Sequence, residues 1–411
     1  MFKHIFIIAV FILTGLSFQP AQAQTVPYGE LKAQLIEHPD YLALVSQSES
    51  LNHAADGEKG LPDPEVRLGI NNFPINGGGF DEFLPTNKSI GFSQRIPNFG
   101  VLDASSEEVR MRSKQSGVQA QWMLQQLEAR LIITLVRLNA TIKQIELVES
   151  QQELLKLEAV YWDGRLEGGE SVYDERSEVD ARIAALTVRK ANLEAQKATY
   201  SAELEELTQK VVIDVVEIPT LNPVPWAGEV SSLYPVMMAE YEVSSTEASV
   251  DMREAAFGPN FNVGVTYQQR EEGRNFSGDD WVSAGVGVTI PLWYSSNQRP
   301  KLRAAESRLS QAKSHLRMAE RLWRSRLSSL NSSIIETDKA LTALKDQYKA
   351  VKEKTDSLNS AYASGTADLD AVIFSEFTQA DIEARVVETI ALKASQIAEF
   401  NSPFGGHTND N

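Results

Sequence analysis

The sequence predicts a mixed α and β architecture. Four transmembrane strands per chain join those of two further copies in a twelve-stranded β-barrel, which continues as a long α-helical coiled coil. Three observations predict it. The chain is written twice, with Pro64 and Pro97 in one half answering Pro259 and Pro291 in the other. Each half carries two segments of strict apolar/polar alternation, the period of a strand with two unlike faces. Each half then continues into long proline-free stretches with apolar residues every seven positions, the signature of supercoiled helices.

Composition narrows the alternatives. The 411 residues carry 39 Lys+Arg against 56 Asp+Glu, a formal charge of −17, which argues against nucleic acid, a ligand that needs a concentrated basic surface. Cysteine is absent, so disulfides, thiolate metal sites and a lipidated N-terminal cysteine are excluded.

In chain order, residues 1–23 read as a signal peptide. Lys3 precedes an apolar run from Ile5 to Leu16, and Ala21-Gln22-Ala23 is a small-x-small cleavage site. Beyond it no stretch approaches the ~18–20 apolar residues of a spanning helix, leaving a soluble exported protein or a β-barrel. The first repeat, 24–214, is expected to hold a helix, strands at 64–73 and 88–96, and a long helical hairpin. In the strands Val66, Leu68 and Ile70 alternate with Arg67, Gly69 and Asn71, and Ile90, Phe92 and Ile96 with polar residues, although Gln94 interrupts the apolar face. The proline-free run 104–161 predicts a helix of roughly 85 Å, with Gly117 its weak point. Val179, Leu186, Leu193, Tyr200 and Leu207 form the heptad row of the returning helix. A linker at 215–228, stiffened by Pro219, Pro223 and Pro225, leads to the second repeat, 229–411. That repeat is expected to hold a helix, strands at 260–269 and 281–290, a second hairpin and a C-terminal tail. Its long helix carries the row Leu302, Leu309, Leu316, Trp323 and Leu330, beside a small-residue row of Ala305, Ala312 and Ala319.

Four strands cannot enclose a channel. At ~4.8 Å spacing and ~40° tilt they give a circle about 8 Å across, with no room for interior side chains. Three chains give a diameter of about 24 Å, and the small polar set Gly69, Gly91, Gly264, Ser283, Gly285, Gly287 and Thr289 suits a wet interior. An obligate homotrimer follows, with outer-membrane lipid around it. Pro97 and Pro291 are expected at the barrel-to-helix junctions, where a missing donor ends strand pairing.

The duplication, the strand–loop–strand–helix order and the paired turns YWDG (Tyr161 to Gly164) and YASG (Tyr362 to Gly365) resemble the TolC-type outer-membrane efflux family over essentially the whole mature sequence. LPDPEVRLGINNFP with IGFSQRIPNFG, and VTYQQR with VSAGVGVTIPLW, are most similar to its heavy-metal branch, the CzcC/CusC type. The resemblance implies an outer-membrane exit duct with a large periplasmic portion and no enzyme activity or cofactor. It also implies docking through a periplasmic adaptor (membrane fusion) protein to a proton-driven inner-membrane pump of the RND type. The implied cargo is heavy-metal cations. The hairpin tips would meet the adaptor through Tyr161, Gly164, Arg165, Leu166, Tyr362, Gly365 and Thr366, with the glycines supplying the positive φ of a tight reversal. Asp368 and Asp370 would form a periplasmic constriction of carboxylate rings, or else simply cap a helix.

Other residues point nowhere in particular. His4, His38, His53, His315 and His407 lack ligand spacing, the methionines do not cluster, and Gly77-Gly78-Gly79 lacks the rest of a phosphate loop. No catalytic arrangement stands out. Two rivals remain on sequence grounds. One is the same fold serving drug efflux or type I protein secretion. The other is a soluble periplasmic coiled-coil adaptor, which should carry a lipoyl-like β domain that the sequence lacks.

Overall fold

A computed structural model describes residues 26–405, so the signal peptide, His4, His407 and the end of the tail lie outside the described residues. Each repeat has a short helix, a β-hairpin and a long helical hairpin. The first contains α1 (Tyr28–Gln34), α2 (Pro39–Glu58), β1 (Glu65–Asn71), β2 (Asn87–Ile96), α3 (Phe99–Glu167) and α4 (Tyr173–Thr208). The second contains α5 (Tyr234–Ala255), β3 (Asn260–Gln269), β4 (Trp281–Thr289), α6 (Gln298–Ala363) and α7 (Leu369–Asn401).

The four strands form one antiparallel sheet in the order β1-β2-β3-β4. All four connections to helices leave from one end, and the loops 72–86 and 270–280 occupy the other. From the helix end of the sheet α3 runs 69 residues without a break, about 100 Å of helix. It is longer than expected at both ends. Gly117 does not weaken it, because the missing side chain lets α2 approach: a Cβ there would stand 3.3 Å from Ser48 Oγ. Serines complete this contact. Ser48 Oγ donates to the Ser113 carbonyl at 2.9 Å, and Ser113 Oγ returns a bond to the Ser48 carbonyl at 2.7 Å.

The heptads translate unevenly into burial. On α4 Val179, Leu186, Leu193 and Leu207 of the predicted row are buried against Leu155, Trp162 and other residues of α3, while Tyr200 is half-buried. On α6 the fully buried row is Ala305 and Ala312, then Leu327, Ile334 and Leu341, while Leu302, Leu309, Leu316, Trp323 and Leu330 are only half-buried. The seam runs along the alanines because small side chains let helix axes come closest, and the leucines fill its flank. A second alanine seam joins the repeats, with Ala129 and Ala140 of α3 against Ala391 and Ala398 of α7.

The linker is longer than expected, covering 209–233, and is bolted down. Asn139 on α3 bonds both backbone groups of Val216, at 2.7 and 3.1 Å, and Asn401 at the end of α7 does the same for Val224 N–H and the Asn222 carbonyl. Each asparagine satisfies extended backbone that has no strand partner. Pro97 stands between β2 and α3. Pro291 ends β4, but six residues with Trp293 and Tyr294 separate it from α6.

Candidate functional site

The sheet has two unlike faces, and its register keeps them largely separate, with Lys88, Gln94 and Gln269 the polar exceptions on one and Trp281 the large apolar exception on the other. Gly69 pairs with Ser89, Gly91 with Thr266, Gly264 with Gly285 and Asn262 with Gly287, so one face is polar and small across all four strands. The opposite face aligns Leu68 with Ile90, Phe92 with Val265, and Val263 with Val286. Most of these apolar side chains stand open: Leu68 is 79% exposed, Val282 and Val286 71%. An apolar surface that continuous is not left to water by a protein that works alone. Gln94, which interrupts the pattern, lies at the helix end and donates to the Pro62 carbonyl at 2.7 Å. Around that end Phe99, Leu292, Trp293 and Tyr294 are exposed. β1 and β4 each have one neighbour, so both sheet edges offer unpaired backbone. Among the described residues no helix is long and apolar enough to cross a membrane.

The helical hairpins reverse at the far ends of α3 and α6, and both reversals use the same backbone device. In the second, Gly365 takes φ +75°, its N–H bonds the Tyr362 carbonyl at 2.9 Å, and Thr366 N–H bonds Ala361 at 2.9 Å. In the first, the left-handed residue is Gly169 at φ +89°, with Gly169 N–H on Leu166 and Glu170 N–H on Arg165. Both are Schellman turns. The expectation for Gly164 is therefore corrected: it stays helical, because α3 runs a turn beyond it before reversing. Gly365 conforms.

The other tip residues divide by exposure. Tyr161 and Tyr362 are exposed at 38% and 43%. Arg165 lies over the rings of Tyr161 and Trp162 and pairs with Glu170, which holds its guanidinium above the usual arginine range. Leu166 packs against the hairpin core rather than standing fully outward, since its side chain completes the cluster around Trp162. Thr366 is exposed, with its hydroxyl on the Ala361 carbonyl at 3.0 Å. Asp368 sits at the N-cap position of α7 without a side-chain capping bond.

Asp370 belongs to a cavity of about 500 Å³ where α3, α4 and α7 meet behind the tips. Its walls include Glu158 and Trp162 from α3, Glu175, Glu178 and Arg182 from α4, and Phe374, Phe377 and Asp381 from α7. Glu158 is buried, and burial pushes its carboxyl above the ordinary range; Arg182 opposes this from 3.2 Å, while Asp370 and Glu178 add to it. Arg182 also lies 4.8 Å from the Phe377 ring centre, and Arg189 reaches Asp381 at 3.4 Å, so two arginines of one hairpin hold a helix of the other. Sequence reading missed Glu158 and Arg182. The available signal was Glu158 itself, a charge three residues after Leu155 and four before Trp162 on an otherwise apolar stripe. Among the described residues no group of three histidines or carboxylates is placed to hold a metal ion.

Residues 235–387 match the sequence model of the family described as outer membrane efflux protein. The outer membrane efflux protein BepC of Brucella suis biovar 1 is 22% identical over 202 residues, which are 47% of this chain. That match spans 44% of the relative's own length, less than half of it. Among solved structures, the outer-membrane channel OprN superposes with a TM-score of 0.75 at 16% identity, covering 92% of this chain and 90% of that one. CusC superposes at 0.73 and 12% identity, covering 94% and 96%. At such identities the likeness is one of fold, and the fold is that of the TolC-like outer-membrane channels.

Proposed function

We propose that this chain is the outer-membrane duct of a tripartite efflux system. Three copies close a twelve-stranded barrel through the β1 and β4 edges, and the helices continue the conduit towards the periplasm. The observation that carries this reading is the sheet, with an open apolar face, a polar glycine-rich face and two unpaired edges. A barrel closed by other copies disposes of all three at once. The duct has no chemistry of its own; an inner-membrane pump of the RND type supplies the energy through a periplasmic adaptor. The family match over the second repeat and the fold likeness support this reading. The native mass of detergent-extracted protein from an outer-membrane fraction tests it: three chains per particle are expected, and a soluble monomer would refute it.

The adaptor docks at the two hairpin tips, where Tyr161 and Tyr362 stand exposed beside the Schellman turns. Gly365→Val is expected to strain the second turn by about 1–2 kcal/mol, since a β-branched residue resists φ +75°. The trimer should survive and adaptor co-purification should fall. Unchanged efflux with unchanged co-purification would remove the tip from the docking surface. Heavy-metal cations are the cargo to test first, on the strength of the strand motifs. Comparing the metal, antibiotic and secretion phenotypes of a deletion strain separates that cargo from the alternatives.

A further inference from the structure

The charge on the polar face of the sheet runs against the charge of the chain. The whole chain is formally −17. On the polar face, β3 and β4 carry no charged residue, while β1 and β2 carry Glu65, Arg67 and Arg95. Glu65 is neutralised by Arg67 through two parallel bonds of 2.7 and 2.8 Å. Arg95, opposite Asn262 in the register, has no ion-pair partner among the described residues, although its charge acts on Glu65. At the loop end Arg270 continues the same face, stacked 4.2 Å from the Trp281 ring centre and bonded to the Leu84 carbonyl at 3.2 Å. Arg67 and Arg270 both line a concavity of about 970 Å³ on this face.

Resting on the duct reading, we infer that the barrel interior is an anion-favouring filter set by Arg95 and Arg270. Three copies would place a ring of Arg95 side chains near the helix end of the barrel and a ring of Arg270 near its mouth. An interior about 24 Å across is narrowed from all sides by arginines reaching roughly 6 Å inward. The remaining gap is comparable to the Debye length of about 10 Å at 0.1 M salt, so the rings act across the whole opening. Rings of arginine are one of the devices by which pores prefer anions. Such a barrel would pass anionic or neutral solutes more readily than bare cations, which weighs against bare heavy-metal cations as the cargo and towards the drug or protein alternatives.

The purified protein in planar bilayers, under a tenfold KCl gradient, provides the test. Arg95→Glu is expected to lower the chloride-to-potassium permeability ratio at least about twofold. Inositol hexakisphosphate added to the loop side should block the wild-type channel and block the variant severalfold more weakly. Arg270→Gln, outside the strand ladder, should weaken block in the same direction, with trimer yield checked because Arg270 also stacks on Trp281 and bonds the Leu84 carbonyl. Permeability and block unchanged in both variants would overturn the inference while leaving the duct intact. A wild-type trimer that conducts nothing would overturn the duct reading and this inference with it.

Discussion

Arginine at position 265 is expected to cost the barrel about 2–4 kcal/mol, whereas arginine at the adjacent position 266 should cost little. Val265 sits near the middle of β3 between Phe92 and Ala284, on the apolar face, and Thr266 sits beside it between Gly91 and Ser283, on the polar face. In lipid the first guanidinium would have to lie in hydrocarbon, and the second would project into water. The ordinary explanation of a damaging arginine, lost strand propensity, predicts similar losses at both sites. The pair therefore isolates the solvent that each face meets. Outer-membrane yield and the urea midpoint of refolding into detergent micelles measure the difference. Equal tolerance at both positions would mean that the apolar face is covered by protein or water, and the barrel would not be a membrane element.

Much of this molecule was legible because its two periodicities are simple and long. Val282, Val286 and Val288 alternate with Ser283, Gly285 and Gly287, and no other local structure explains that pattern. The helices were legible in extent but not in rotation. A heptad row shows that one stripe is buried. It does not say whether the leucines of α6 or its alanines lie at the seam centre, because that depends on how closely the partner helix approaches. The tips show the same limit. Tyr161-x-x-Gly164 and Tyr362-x-x-Gly365 look alike in sequence, yet α3 runs one turn further, to Gly168-Gly169, before reversing. Two adjacent glycines there were the visible hint. The cavity behind the tips was illegible as a whole, since Glu158, Arg182 and Phe377 come from three helices and meet only in the packed bundle.

That cavity carries the second large effect. Arg182→Leu leaves the Glu158 carboxylate buried without its partner. Removing one member of a fully buried pair costs ~3–5 kcal/mol. Arg182 is 34% exposed, so water already screens part of the attraction, and about 2 kcal/mol is expected at neutral pH. The pH dependence gives the effect its signature. Because the folded state holds the Glu158 carboxyl above its ordinary range, that group favours the fold most when protonated. Its contribution is complete below the ordinary glutamate value of 4.5 and is lost as pH rises through the elevated folded value. Arg182 limits that loss. Without it the loss deepens, so the variant should melt well below the wild type at pH 7.5 and approach it at pH 5. Glu158→Gln should remove this slope, and in the double variant it should suppress most of the deficit, since no buried charge then remains to be stranded. A deficit of equal size at both pH values would mean that Arg182 acts through its stacking on Phe377, and that the charge of Glu158 is irrelevant to how the two hairpins hold together.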